Sequence, residues 1–430
     1  MVLVPRSFIP AVALPPTSPF ATASVDLNFA TGTYVGGSLG SLISVSNSSG
    51  GYVTNADGTL TSIAANTPRI GAGSGLLVEE SRTNIVTYSS DPAGQWNWGR
   101  VTVTANTIAA PDGTITADTV TDDTNTNSHY VSAGTAPTVT PNTTYTHSIY
   151  VKPGGGPTGG RYIQLGLSAY SNTGYCFAGF DIVAGTVLYN QAGGSGGVFQ
   201  SATATLLANG WCRITLSAIP DATDTAAFIT VGMGVAPGTA PANYNYTGTG
   251  TSYFYFWGDQ VELGAFATSY IATTSATVVR QWDNVTSAGA LTTALNGAAS
   301  VYMETSGTLS VAANSYAYFF DAVTSGQPQA YFQNVGQLYL SGTGGNSSLS
   351  YTGTPYTGFL KSAFAWDATG SSVSSAGLLG TISAAMTLPS TGNWAIANYS
   401  SGSYPQDGYI PRLTVWNSRL PNTTLTGLTT

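Results

Sequence analysis

Charge is what this 430-residue chain has least of: Asp, Glu, Lys and Arg together make up 7% of it. Lysine occurs only as Lys152 and Lys361, and the net charge is -8. A nucleic-acid-binding surface needs a basic stripe to neutralise phosphates, so DNA and RNA are set aside as partners. No apolar run reaches the roughly 18 residues that a membrane-spanning helix requires, so membrane insertion is not expected. Cysteine appears twice, as Cys176 and Cys212, too few for a disulfide framework. Each lies in a strand-like run. They pair if those runs are neighbours, or else stay as buried free thiols, which fits assembly in a cytoplasm. The histidines are His129 and His147. Residues so few and so far apart make no zinc spacing, and no Ser-His-Asp order or G-x-S-x-G elbow is present. Helical periodicity is nearly absent.

What remains is apolar, aromatic and punctuated. Hydrophobic residues make up 42% and aromatics 11%, with 25 Tyr, 8 Trp and 52 Gly. Tyr, Thr and Val favour strands, while Gly, Asn, Asp and Pro supply turns. The pattern predicts an all-β protein, built as tandem antiparallel β-sandwiches of jelly-roll type after an extended N-terminal arm. The run TYTHSIYVK places Tyr145, His147, Ile149 and Val151 on one strand face and Thr146, Ser148, Tyr150 and Lys152 on the other. WCRITLSA (211–218) and YFYFWGDQVEL (253–263) alternate in the same way. The Gly-rich segments 154–160 and 192–197 read as strand connections, because no helix pattern follows them to make a phosphate loop.

Four regions follow from this punctuation. Residues 1–22, interrupted by Pro5, Pro10, Pro15 and Pro16 and without a basic start, read as an attachment arm rather than a signal peptide. Residues 23–86 hold short strands. Residues 87–275 carry enough strands for a first sandwich, and 281–430 for a second, with 271–278 as the linker.

Three stretches near the N-terminus carry a resemblance: DLNFATGTY (26–34), DGTLTSIAANTPRI (57–70) and GLLVEESRTNIV (75–86). They resemble the start of a family of bacteriophage virion and prophage tail- or head-fibre proteins. The following segment resembles the carbohydrate-binding-like jelly roll of those proteins, through 110–123, 143–153, 180–187, 209–218 and 255–274. KSAFAWDATG (361–370) and 408–428 are similar to concanavalin-like and laminin-G-like lectin domains. The resemblance implies a fibre, spike or decoration protein located in the virion and assembled in host cytoplasm. It implies a homo-oligomer, often a trimer in such proteins, attached to other virion proteins through residues 1–22 and facing host surface polysaccharide. Where the family carries an Arg, residues 43–49 read ISVSNSS, which leaves Glu79 or Glu80 without that partner.

The charges gather at 79–82. Arg69, Glu79, Glu80 and Arg82 read as a structural clasp of Arg–carboxylate forks, joining the N-terminal strands to the first sandwich. A glycosidase pair is the rival, but its carboxylates stand about 5–10 Å apart across a sugar, whereas neighbours in a strand point to opposite faces. Gln260 and Glu262 share a strand face near Trp257 and read as buried structure, with sugar or metal contact as the alternative. The oxygen-rich turn 122–127 is a candidate calcium site, although it lacks the spacing and closing Glu of a calcium loop; no other cofactor is expected. Sugar rings stack on aromatic faces, so aromatics near turns are the candidate carbohydrate contacts: Trp96, Trp98, Tyr244, Tyr246, Tyr356 and Tyr404. The expected function is display and glycan adhesion without catalysis. A ligand-free particle cement and a polysaccharide depolymerase are the alternatives. The depolymerase reading has few acidic residues and no β-helix repeat behind it.

Overall fold

Alternation along the chain becomes pleated strands that stack in two antiparallel β-sandwiches. The structure, a computed structural model, describes residues 18–430 except 158–159, 172, 235–244, 310–315, 323–327, 334–336, 343–344, 351–355, 384–385, 387, 389–391 and 399–406. Residues 1–17 of the expected arm lie outside the described residues. Its last residues form a short 3-10 helix, Pro19–Thr22, and Phe20 rests 5.3 Å from the ring of Tyr302 in the C-terminal sandwich.

The jelly-roll sandwich has a six-stranded sheet in the order Val101–Ala109, Ile115–Asp122, Tyr253–Leu263, Tyr145–Pro153, Cys212–Ile219 and Val198–Leu206. Facing it is a seven-stranded sheet. Its main path runs Thr186–Gly193, Tyr175–Asp181, Tyr162–Ala169, Ala227–Gly234, Thr126–Ser132 and Asn245–Thr247, and Asn97–Gly99 pairs beside Thr126–Ser132. Every second residue points inward: Ile163, Leu165 and Leu167 from one sheet meet Ile149, Ile214 and Phe256 from the other. Each such side chain contributes roughly 1.5–3 kcal/mol on full burial. Cys176 and Cys212 are both buried free thiols in this core, and burial pushes each up to about 12.

The strand Tyr145–Pro153, whose alternation sets an apolar face against a more polar one, is buried on both faces from Tyr145 to Val151. The cause is the N-terminal segment. The hairpin of Gly51–Thr54 and Leu60–Ile63 lays Tyr52 and Leu60 over Tyr150, Trp211, Trp257 and Tyr270 on the outside of the six-stranded sheet. Opposite Ile149 the neighbouring strand carries an extra residue, a bulge formed at Gly258 with φ +69°. The bulge brings Asp259 beneath the sheet, 2.8 Å from His147 Nε2, while His147 Nδ1 donates to the Gly166 carbonyl across the core.

The second sandwich is not assembled from the C-terminal region alone. In its nine-stranded sheet Val25–Asn28 pairs with Gly408–Trp416 (Leu27 opposite Leu413), and Gly75–Val78 joins Gly408–Trp416 as well. In its seven-stranded sheet Ile43–Ser46 pairs with Asn284–Ser287. Val25, Leu27, Leu42, Leu76 and Val78 share one core with Phe364, Trp366 and Trp394. The strands Val25–Asn28, Ile43–Ser46 and Gly75–Val78 are thus integral to the second sandwich, the hairpin between them covers the jelly roll, and the jelly roll is inserted into the second sandwich. The chain enters the jelly roll through Arg82–Asn84 and leaves through Val278–Arg280; these two strands run antiparallel, Arg82 opposite Arg280, as a two-stranded neck.

Candidate functional site

The charged residues converge at this neck. Arg69 is buried and binds Glu79 at 2.8 Å, and its guanidinium also forks onto both oxygens of Asp283. Arg280 stands 3.6 Å from Glu79, and Ser269 of the jelly roll donates to both Glu79 oxygens, at 2.7 and 2.6 Å. Burial alone would raise the Glu79 carboxyl; Arg280 and Arg69 outweigh it and bring it down to about 2. Glu80 pairs with Arg82 separately. Both glutamates therefore have partners despite the missing Arg in 43–49. Asn47 of that segment instead donates to Asp283 at 2.7 Å. The arrangement links the N-terminal strands, the end of the jelly roll and the returning strand. Its carboxylates are each held by their own cations.

The aromatic candidates are not brought together. Trp96 precedes its strand, is 6% exposed and packs edge-on against Phe256, so it belongs to the core. Trp98 is 45% exposed, but it lies opposite Val131, whose side chain points inward, so it does not share a face with Tyr130. Tyr246 is buried against the His129 ring at 4.3 Å. Tyr356 starts a long strand, Tyr356–Asp367; its side chain, like all of Tyr244 and Tyr404, lies outside the described residues. Gln260 and Glu262 are fully buried: Gln260 Nε2 donates to Glu262, whose two oxygens also accept from Thr268. In the turn 122–127, Asp122 accepts the Thr249 and Ser252 backbone N–H groups, and Asp123 accepts Asn125. Among the described residues no group of three or more His, Cys, Asp or Glu is placed to hold a metal ion.

A different set of aromatics does converge. On the outer face of the seven-stranded jelly-roll sheet, Tyr130, Phe177 and Phe228 line a depression of about 240 Å³ together with Gln164, Thr230 and Gly232. The alternation that sends Val131, Ala178 and Ile229 inward sends these outward. Their neighbours on the same face are small. A Cβ on Gly166 would stand 2.9 Å from the Phe177 ring, one on Gly179 would run into Tyr189, and one on Gly99 would run into Tyr130. Phe177 and Tyr130 therefore lie close over glycine backbone, and Phe228 meets the Tyr130 ring edge-on, centroids 6.5 Å apart at 78°. Gln164 donates to the Tyr189 hydroxyl at 2.6 Å, which fixes its amide. The residues lining this depression include no Asp, Glu, Lys or Arg, and the one histidine among them, His129, is buried.

No family model matches the sequence, and no curated protein matches it significantly. Among solved structures the chain is similar to the CBM40 of Ruminococcus gnavus IT-sialidase, solved with sialyllactose: 15% identity over 33% of this chain and 86% of that one, TM-score 0.27. A leech intramolecular trans-sialidase gives 17% identity over 33% of this chain and 24% of that one, TM-score 0.27. Domains LG4-5 of the mouse laminin alpha1 chain give 7% identity over 69% and 90%, TM-score 0.20. At such scores these likenesses assign no ligand and no residue to this chain.

The aromatic face carries a sequence signal that loop-centred reading passes over. YCFAGFD, AFITVGMG and YIQLGLSA set aromatic, amide or hydroxyl residues and glycines on the outward positions, where an ordinary solvent face carries charge, and the one charge among them, Asp181, is paired with Arg161. Asp283, Arg280 and Ser269, the rest of the clasp, lie about two hundred residues from Arg69 and Glu79 in sequence, and nothing local points to them.

Proposed function

We propose that this chain is a non-catalytic virion display protein of a bacteriophage, and that it binds a neutral host-surface glycan on the outer face of its seven-stranded jelly-roll sheet. The observation that carries the glycan reading is the glycine-floored aromatic face. Phe177 and Tyr130, each packed close over glycine, supply apolar ring surface for the C–H side of a sugar, and Phe228 closes the depression edge-on to Tyr130. Lack of charge on the face suits an uncharged sugar. The virion reading is supported by the resemblance of 26–34, 57–70 and 75–86 to virion proteins, with residues 1–22 as the attachment arm and a homo-oligomer, a trimer, multiplying weak sites.

The test is a glycan array with the full chain, followed by calorimetry with the best neutral oligosaccharide. Phe177→Ala and Tyr130→Ala are expected to weaken binding about tenfold or more, with unchanged melting. Unaltered binding in both variants would remove this face as the site. For the virion reading, purified particles are expected to contain the chain, and particles made with residues 1–17 deleted are expected to lose it. Release of reducing ends from host capsule would instead support a depolymerase.

A further inference from the structure

A second cleft, of about 210 Å³, opens beside the neck with walls from both sandwiches. Leu77, Phe266 and Ala267 give it apolar sides. Its charged members do not balance as those of the clasp do. Glu79 is saturated by Arg69, Arg280 and Ser269. Arg213, from the strand Cys212–Ile219, is different. Its Nη2 donates to Ser148 Oγ at 3.1 Å and to the Thr268 carbonyl at 2.6 Å, and its guanidinium lies over the Tyr150 ring. Among the described residues it meets no carboxylate in an ion pair, and its buried Nε has no acceptor.

Asp407 faces the same cleft. It is held at φ +46°, a left-handed conformation uncommon for a residue with a Cβ, and its Oδ1 accepts the Glu80 backbone N–H at 2.8 Å. Burial and then the negative charge of Glu80 push its carboxyl well upward, toward the neutral, proton-donating form. The cleft thus offers an unpaired guanidinium and an acid O–H between apolar walls.

We propose that this cleft binds a small carboxylate carried on a ring-sized body, the chemistry of a uronic acid, with Arg213 as the anchoring cation. The site is separate from the aromatic face and stands whether or not that face binds sugar.

The experiment titrates the full chain with glucuronate and, in parallel, with glucose, following backbone amide shifts by NMR. Glucuronate is expected to shift Ala267, Ser269 and Gly408 saturably while leaving Tyr130 and Phe177 in place, and glucose is expected to leave the cleft unmoved. Arg213→Gln is expected to lower the glucuronate affinity about tenfold or more, and Asp407→Asn, which keeps a neutral donor, to hold it within about threefold. If Arg213→Gln does not fold, Arg213→Lys keeps the charge without the fork and is expected to bind more weakly than the parent chain. Equal cleft shifts with glucose, no cleft shifts with glucuronate, or a folded Arg213 variant that binds as the parent does would each overturn the proposal.

Discussion

At the scale of single residues, what decides a role here is which side of a strand a ring leaves from. Trp96 and Phe177 are both large and aromatic, and local sequence gives little to separate them. Trp96 fills the core against Phe256, whereas Phe177 lies over Gly166 on the outside. Their alanine variants are therefore expected to fail differently. Trp96→Ala should cost about 3–5 kcal/mol in denaturant unfolding, as a core truncation does, and leave the glycan affinity of the remaining folded protein intact. Phe177→Ala should leave stability within about 0.5 kcal/mol and remove binding. A Trp96→Ala protein that is stable but no longer binds would return the site to the turn at 94–99.

At the scale of elements, the neck and its clasp hold the two sandwiches at one point. Arg69 is fully buried and shares Asp283 and Glu79, so removing one acid strands a buried cation. Asp283→Asn is expected to cost about 3–5 kcal/mol, and amide exchange at Arg82–Asn84 and Val278–Arg280 is expected to quicken before exchange in either core does. Adding Arg69→Met should recover part of the loss, since the pair is then removed together. Exchange that quickens uniformly through both cores would show that the clasp is not a local fastening. The all-β class, the jelly-roll strands and the concentration of charge at 69–82 were legible in the sequence, because period-two alternation and charge clustering are local signals. Asp283 and the pairing of Val25–Asn28 with Gly408–Trp416 were not. Register between strands almost four hundred residues apart is set by packing and leaves no mark in either segment alone. The two-sided burial of Tyr145–Val151 escaped for the same reason, since its second cover comes from a distant hairpin.

At the scale of the whole molecule, acid and chain path each make a prediction. Asp118 is buried and raised to about 6 from 3.8, so the folded state takes up its proton first, and stability should rise modestly as pH falls from about 7 to 5. Glu79 works in the opposite sense. Its folded value, about 2 against 4.5, gives stability that is present above about pH 4.5 and lost as pH falls toward 2, on the order of a few kcal/mol. The melting temperature should therefore pass through a maximum near pH 5, and Glu79→Gln should flatten its acid limb. The chain path makes the sharper prediction. Because the jelly roll is inserted between strands of the second sandwich, residues 281–430 by themselves lack Val25–Asn28, Ile43–Ser46 and Gly75–Val78, and with them part of the core. That fragment is expected to aggregate. Asn84 and Val278, by contrast, sit opposite each other in an antiparallel pair, where Cα atoms are about 4.5–5.5 Å apart, so a two-residue Asn-Gly turn spans them. A chain of residues 18–84, Asn-Gly and 278–430 removes the whole jelly roll yet keeps every strand of the second sandwich. At the clasp it loses the Ser269 partners of Glu79 and Arg69, with Glu79 still neutralised by Arg69 and Arg280, and it uncovers Tyr52 and Leu60 of the hairpin, which calls for polar replacements there. It is expected to unfold cooperatively by circular dichroism while the longer-sounding but strand-poor 281–430 does not. If 281–430 folds alone with equal cooperativity, the N-terminal strands are ornaments on that sandwich and not members of it.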